Sequence, residues 1–293
     1  MKLVTWNIQW GRGVDGRVDL ARIASTARGL ADFDVLCLQE VADNFPGLEG
    51  NDDRDQFAEL ARLLPGYRAA ESIAVESAAP DGRCRRFGNV LFSRYPILAV
   101  RRHALPWPAD ASAPSMPRAL VEVVVQAPMG PLRIGTTHLE YYSAVQRAAQ
   151  ARYLRHVHEE ACARAAGPAQ QGDAGTPFET LPATCRAILT GDFNFPVDDP
   201  GHAEIQQASP GGAPPYRDAW RVVHAQAPHP PTFCLHEHGY GEEPYCCDFI
   251  FVSADLAPRV RSIRVDVDTQ ASDHQPVIAE IDDLQEPACA ASV

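Results

Sequence analysis

Short apolar runs that stop at a polar residue recur along the chain and constrain it more than any other feature. The clearest is Ala187-Ile188-Leu189-Thr190, which leads into Gly191-Asp192-Phe193-Asn194. An apolar run this brief, closed by a turn signal, predicts a buried strand over residues 187–190. Side chains two apart on extended chain share a face, so Asp192 and Asn194 can look into one pocket just past a strand end. That is where α/β sheets place their ligands. The same residues also suit a polar turn, in which Asp and Asn are ordinary turn formers. Similar endings elsewhere argue for the pocket: Asn7, Glu40, His138, Asp248, Asp273 and His274 each stand at or just beyond a predicted strand end.

The order of elements sets the class. Residues 2–8 read as a strand, and 18–30 as a helix capped by Asp19, with Leu20, Ile23, Ala27 and Leu30 on one face. Residues 33–38 read as a second strand, and 52–64 as a helix stopped by Pro65-Gly66. This β-α-β-α opening predicts an α/β protein. Further strands are predicted at 88–93, 118–126, 132–139, 248–253, 263–267 and 276–281. The turn at 128–131 makes a hairpin of two of them. The longest helix is predicted at 143–166, opened by a capping box of Ser143 and Gln146. Proline and glycine mark loops at 75–88, 104–117 and 208–215, a surface linker at 167–182 and a frayed tail at 284–293. Polar strand ends lie on both sides of the linker, so one domain over 1–283 is expected.

Charge narrows the partners. The 26 basic and 38 acidic residues leave a net −12, which disfavours a broad basic surface for nucleic acid without excluding a local groove. No apolar run approaches the roughly 20 residues that span a bilayer, so membrane insertion is not expected. The N-terminus lacks the pattern of a signal peptide, and a cytoplasmic protein is expected. The eight cysteines are scattered without a CxxC pair, and reduced thiols acting as small hydrophobes are expected. No obligate protein partner is evident.

The polar strand ends offer mostly oxygen donors with two imidazoles. That set suits a hard cation, Mg²⁺ or Mn²⁺, better than zinc. A magnesium ion keeps positions for water and substrate phosphate, which points to metal-assisted phosphoryl chemistry. The segments TWNIQW (5–10), LCLQEV (36–41), FGNVLFSRYPI (87–97), PRALVEV (117–123), TTHLE (136–140), GDFN (191–194), CDFIFVS (247–253) and SDHQPV (272–277) together resemble the endonuclease/exonuclease/phosphatase superfamily, in its order and over nearly the whole chain.

That resemblance implies a four-layered α/β sandwich: two mostly antiparallel sheets packed face to face, with helices outside. It implies a Mg²⁺- or Mn²⁺-dependent phosphoesterase. By position, Glu40 matches the metal-ligating glutamate, Asn7 an amide that orients the metal site, and Asp273 a second metal ligand or phosphate-site acid. His138 matches a catalytic histidine, Asp192 the aspartate that meets the attacking water, and Asn194 its amide partner. His274 matches the family's histidine and Asp248 the carboxylate that holds it. Arg118 matches a phosphate contact more loosely, and Asn89 and Trp10 are candidate substrate contacts. Whether Asp192 or His274 is the general base stays open at this point. Cys246-Cys247 depart from the residues common before this Asp, which weakens phosphate contact there.

The Cys- and His-bearing stretch 234–247 offers donors for zinc without a standard spacing; a loop that shapes substrate choice is the simpler expectation. The expected partner is a phosphate ester of unspecified kind. Nucleic acid is the alternative, with Arg12, Arg17, Arg85, Arg86, Arg147 and Arg152 as basic candidates and Trp10, Trp107 and Tyr141 as stacking candidates. A noncatalytic binding module on the same fold is the reading from another class. The full set of eight polar residues argues against it, because a degenerate scaffold would be expected to lose some.

Overall fold

Seventeen strands and α-helices follow one another in the order β1 (Lys2–Asn7), α1 (Leu20–Leu30), β2 (Val35–Asp43), α2 (Gln56–Leu63), β3 (Arg68–Ala78), β4 (Cys84–Ser93), β5 (Ile97–Ala104), β6 (Ala119–Ala127), β7 (Gly130–His138), α3 (Ala144–Ala166), β8 (Ala187–Asp192), α4 (Pro200–Ile205), β9 (Tyr216–Asp218), α5 (Ala219–His224), β10 (Asp248–Ser253), β11 (Val260–Val265) and β12 (Val277–Ile281). The structure is a computed structural model that describes residues 1–80, 82–168, 172–239 and 243–284. The tail at 285–293 with Cys289, and Tyr240 of the Cys- and His-bearing stretch, lie outside the described residues.

The strands form two six-stranded sheets, ordered β11-β12-β1-β2-β4-β3 and β5-β6-β7-β8-β10-β9. Each sheet has one parallel pair at its centre, β1 with β2 and β7 with β8, and antiparallel neighbours on either side. Leu3, Cys37, Val121, Ile134, Ile188, Ile250 and Val277 form the core between the sheets. The residues that alternate with them point the other way, as the two-residue period of a strand requires. Val4, Trp6, Leu36, Leu38 and Phe92 pack with Leu20, Ile23, Phe57 and Leu60 of α1 and α2. Leu120, Leu189, Phe249 and Phe251 pack with Ala151 and Leu154 of α3 and Ile205 of α4. The layers are therefore helix, sheet, sheet, helix, the expected sandwich.

Several expectations are refined. Asp19 caps α1, its carboxylate accepting from the Arg22 N–H. Ser143 caps α3 by accepting from the Gln146 N–H, but the Gln146 amide binds the Pro108 carbonyl and Ser115, so the box is half formed. The loop expected at 75–88 is largely strand: β3 and β4 pair out to Ala78 and Cys84. The cysteines are not all reduced. Cys162 on α3 and Cys185 before β8 are joined in a disulfide, while Cys37, Cys84, Cys234, Cys246 and Cys247 are free. Among the described residues no helix is long and apolar enough to cross a membrane.

Candidate active site

Three of the four central strands, β1, β7 and β8, share one design. On the face between the sheets, Leu3, Thr5 and Asn7 stand in a row along β1, and Ile134, Thr136 and His138 along β7. Ile188, Thr190 and Asp192 repeat it on β8. Each row turns from apolar to hydroxyl to a group with chemistry as it approaches the C-terminal strand end. Both parallel pairs end at the same place, with Asn7 beside Gln39 and His138 beside Asp192.

Glu40 needs a further device. Alternation along β2 would turn it outward with Leu36 and Leu38. The pairing of β2 with β4 slips between Leu38 and Val41, and Glu40 takes φ 60°. This bulge re-aims one side chain while returning Val41 to the outer core. Positive φ is uncommon outside glycine and concentrates at functional sites. Gln9 and Trp10 (φ 45° and 46°) and Asn194 (φ 52°) share it here. Gly191, at φ 141°, passes so close to the Thr137 carbonyl that no side chain fits.

These residues meet in a cavity of about 170 Å³. Glu40, His138, Asp192, Asn194, Asp273, His274, Arg118 and Trp10 line it. Asn7 lies beneath, its amide donating to Asp192 Oδ2 at 2.9 Å and to Glu40 Oε1 at 3.1 Å. Asp192 Oδ1 accepts from the Asn194 N–H at 2.9 Å. Asp192 Oδ2 faces two imidazoles, His138 Nε2 at 3.4 Å and His274 Nε2 at 3.6 Å. Asp248 does not line the cavity. It lies behind His274, with its Oδ2 at 2.9 Å from Nδ1. Asn89 is not among the lining residues either: its amide donates to the Ala119 carbonyl at 3.0 Å, tying β4 to β6. Asn89, expected as a substrate contact, is placed here as a link between the sheets.

The electrostatics differ between the two histidines. Burial and the nearby Arg118 charge push His138 well below the usual imidazole range. Its Nε2 accepts from the Asn194 amide at 2.9 Å, so the neutral ring carries its proton on Nδ1, which faces Glu40 Oε1 at 3.8 Å. Burial opposes charge on His274 as well, but Asp248 and Asp192 outweigh it and raise the ring to about 10. Burial likewise pushes the Asp192 carboxyl up, yet the charged His274 and the Asn7 and Asn194 N–H groups bring it below the usual range. Burial and the Asp273 charge raise Glu40 to about 7, and burial raises Asp273.

Several contributors were not singled out from sequence. Gln9 donates to Asp273 Oδ2 at 2.7 Å. Thr232 donates to Asp248 Oδ2 at 2.7 Å, and the adjoining Phe233 stacks on His274 with centroids 4.5 Å apart. Buried Glu140 accepts from Arg118 Nε at 3.2 Å and from the Tyr142 N–H at 3.0 Å. Arg118 Nη1 has no hydrogen-bond partner among the described residues. Of the nucleic-acid candidates, Arg12 is held by Glu49 and Glu237, Arg86 by Asp43, Asp55 and Glu71, and Arg147 by the Glu140 and Tyr141 carbonyls. Among the described residues no group of three donors within the 234–247 stretch converges as a zinc site would require; Cys247 groups instead with Asp192 and His274.

Comparison with known proteins agrees with this geometry. The model of the endonuclease/exonuclease/phosphatase family matches residues 4–274. No curated protein matches. A solved endonuclease/exonuclease/phosphatase from Beutenbergia cavernae is 28% identical at TM-score 0.66, over 95% of this chain and 70% of the other. A mannosyl-6-phosphatase from Bacteroides thetaiotaomicron is 17% identical at TM-score 0.65, over 96% and 99%. A 3′ phosphatase from Neisseria, bound to a product DNA hairpin, is 22% identical at TM-score 0.58, over 96% and 99%. The chain belongs to the endonuclease/exonuclease/phosphatase family.

Proposed function

We propose that this protein hydrolyses a phosphoester with the help of a divalent cation, Mg²⁺ or Mn²⁺, and an attacking water. The observation that carries the reading is Asp192. It is an ionised carboxylate gripped by Asn7 and the Asn194 N–H, and it faces two imidazoles in opposite charge states. Asp192 takes the proton from water as general base. His274 is already charged and unsuited to that task. As an imidazolium oriented by Asp248 it donates to the phosphoryl oxygens and offsets the charge that grows on them. Neutral His138 and the Asn194 amide oxygen orient water, the two Asn194 N–H groups being spent on His138 and the Leu139 carbonyl, and the Arg118 guanidinium lining the cavity is a further donor to phosphate.

The donor set fits a hard cation. Glu40 and Asp273 are carboxyls raised by burial, and a cation between them would hold both ionised. Such an ion polarises a phosphoryl oxygen and neutralises the leaving alkoxide. Two proteins of the same fold, named as a mannosyl-6-phosphatase and as a 3′ phosphatase bound to a product DNA hairpin, support the reading.

The test is hydrolysis of bis-p-nitrophenyl phosphate with Mg²⁺, Mn²⁺ or Ca²⁺, and after chelation. Activity should require the cation. Glu40→Ala should abolish the cation-dependent rate while the circular dichroism spectrum is retained. Full activity in that variant would remove Glu40 as a metal ligand.

A further inference from the structure

Tyr141, Tyr142 and Phe233, which line the cavity on one side of His274, have no role in the chemistry above. Four rings form a continuous wall from solvent to the cavity floor. Tyr142, 57% exposed, meets Tyr141 edge to face with centroids 4.8 Å apart. Tyr141 meets Phe233 at 6.5 Å and 78°, and Phe233 lies against the His274 ring at 4.5 Å and 32°. All four line the cavity. Tyr142 is exposed by construction: Glu140 fixes its backbone N–H and the Arg147 guanidinium binds the Tyr141 carbonyl, so the tyrosine pair is held at the mouth rather than folded into the core.

Charge at the mouth points away from a polymer. Arg118 is the one Lys or Arg that lines the cavity among the described residues, and Glu140 already binds its Nε. The nearby Arg12 is engaged by two glutamates. A polynucleotide needs a cation for each of several phosphates along its path. A single guanidinium beside an aromatic wall fits a single phosphoryl group with a flat apolar neighbour.

We propose that the preferred substrates are small phosphodiesters in which the ester oxygen that stays on phosphorus, not the leaving one, carries an aromatic or similarly flat apolar group, and that this group lies against Tyr142 and Tyr141. The inference rests on the phosphoesterase reading. For a mixed diester, the water oxygen bonds to phosphorus, its proton passes to Asp192, and the P–O bond to the leaving group breaks with the electron pair departing on that oxygen. The apolar group stays on the product as a monoester.

Two diesters with the same leaving group isolate the effect: benzyl p-nitrophenyl phosphate and methyl p-nitrophenyl phosphate. The benzyl ester should have kcat/KM about tenfold higher, the size of one ring-stacking contact. Tyr142→Ala should narrow the ratio to below about threefold, and Tyr142→Phe, which keeps the ring, should preserve it. Tyr142 is exposed, so its truncation leaves the core intact. Equal kcat/KM for the two esters, or an unchanged ratio in Tyr142→Ala, overturns the wall and leaves the phosphoesterase reading standing. A DNA oligomer cleaved with higher kcat/KM than the benzyl ester also overturns the inference. No hydrolysis of either ester while bis-p-nitrophenyl phosphate or p-nitrophenyl phosphate is cleaved overturns the inference alone; no hydrolysis of any of the four overturns the phosphoesterase reading with it.

Discussion

His274 owes its charge to what lies behind it. Asp248 Oδ2 accepts from Nδ1 and from the Thr232 hydroxyl, and the Trp6 indole donates to the His274 carbonyl at 2.9 Å. Ring and backbone are both held, so little reorganisation is needed when charge develops at phosphate. His274→Ala should lower kcat on bis-p-nitrophenyl phosphate by at least about 100-fold, the usual scale for acid–base or electrostatic groups. A near-normal rate, with the fold intact by circular dichroism, would remove His274 from the mechanism. Asn7, Glu40, His138 and Asp192 could be singled out from sequence because each follows an apolar run, and Asn194, Asp273 and His274 because they stand in the segments GDFN and SDHQPV. Gln9, Glu140 and Thr232 could not, because each acts through a partner distant in the chain: Asp273, Arg118 and Asp248. Their residue types carry no signal until the fold supplies the partner. Asn89 shows the reverse case, a polar residue in a matching segment whose amide N–H donates to the backbone of the other sheet.

Elements with a buried face were legible, and the edge strands β3 and β5 were not. The outer strand β3 is half exposed along its length, and β5 at the other sheet's edge alternates with arginines and a histidine, so neither shows a clean apolar period. The bulge in β2 was hidden because it arises from pairing with β4. On α3 the buried polar residue His158 was equally silent in sequence. Its Nδ1 accepts from Arg133 at 2.7 Å, and its Nε2–H donates to the Pro214 carbonyl at 2.7 Å. Burial, and then the Arg133 charge, push it down to about 4, so the folded protein holds this ring neutral. An unfolded histidine titrates near 6.5. Between those values the unfolded chain binds more protons, so His158's contribution is complete above about 6.5 and is lost as pH falls toward 4. The limit is on the order of 3 kcal/mol. Urea midpoints at pH 7 and pH 4.5 check this: His158→Gln should lose distinctly less stability on acidification than the parent chain. An equal loss in both would show that the ring does not govern acid stability.

At the scale of the whole molecule, the candidate site exists because two sheets end together. One sheet contributes Asn7 and Glu40, and the other contributes His138, Asp192 and Asp248. The order of the segments implied the sandwich, but the contacts that align the sheets are single polar bonds that no sequence pattern marks. Gln39 of β2 donates to Thr136 of β7 at 2.8 Å, one step below the cavity. Asn89 of β4 and Thr137 of β7 both donate to the Ala119 carbonyl, at 3.0 Å and 3.2 Å. Removing the Asn89 amide loses one of two bonds to that carbonyl and cuts a tie between the sheets, inside a buried region where no water replaces it at low cost. Asn89→Ala should therefore lower unfolding free energy by about 1–3 kcal/mol, with KM for bis-p-nitrophenyl phosphate unchanged. Denaturant unfolding and steady-state kinetics on the same preparation separate the two roles. Lost stability with unchanged KM assigns Asn89 to the alignment of the sheets, whereas a raised KM at parental stability would return it to the substrate.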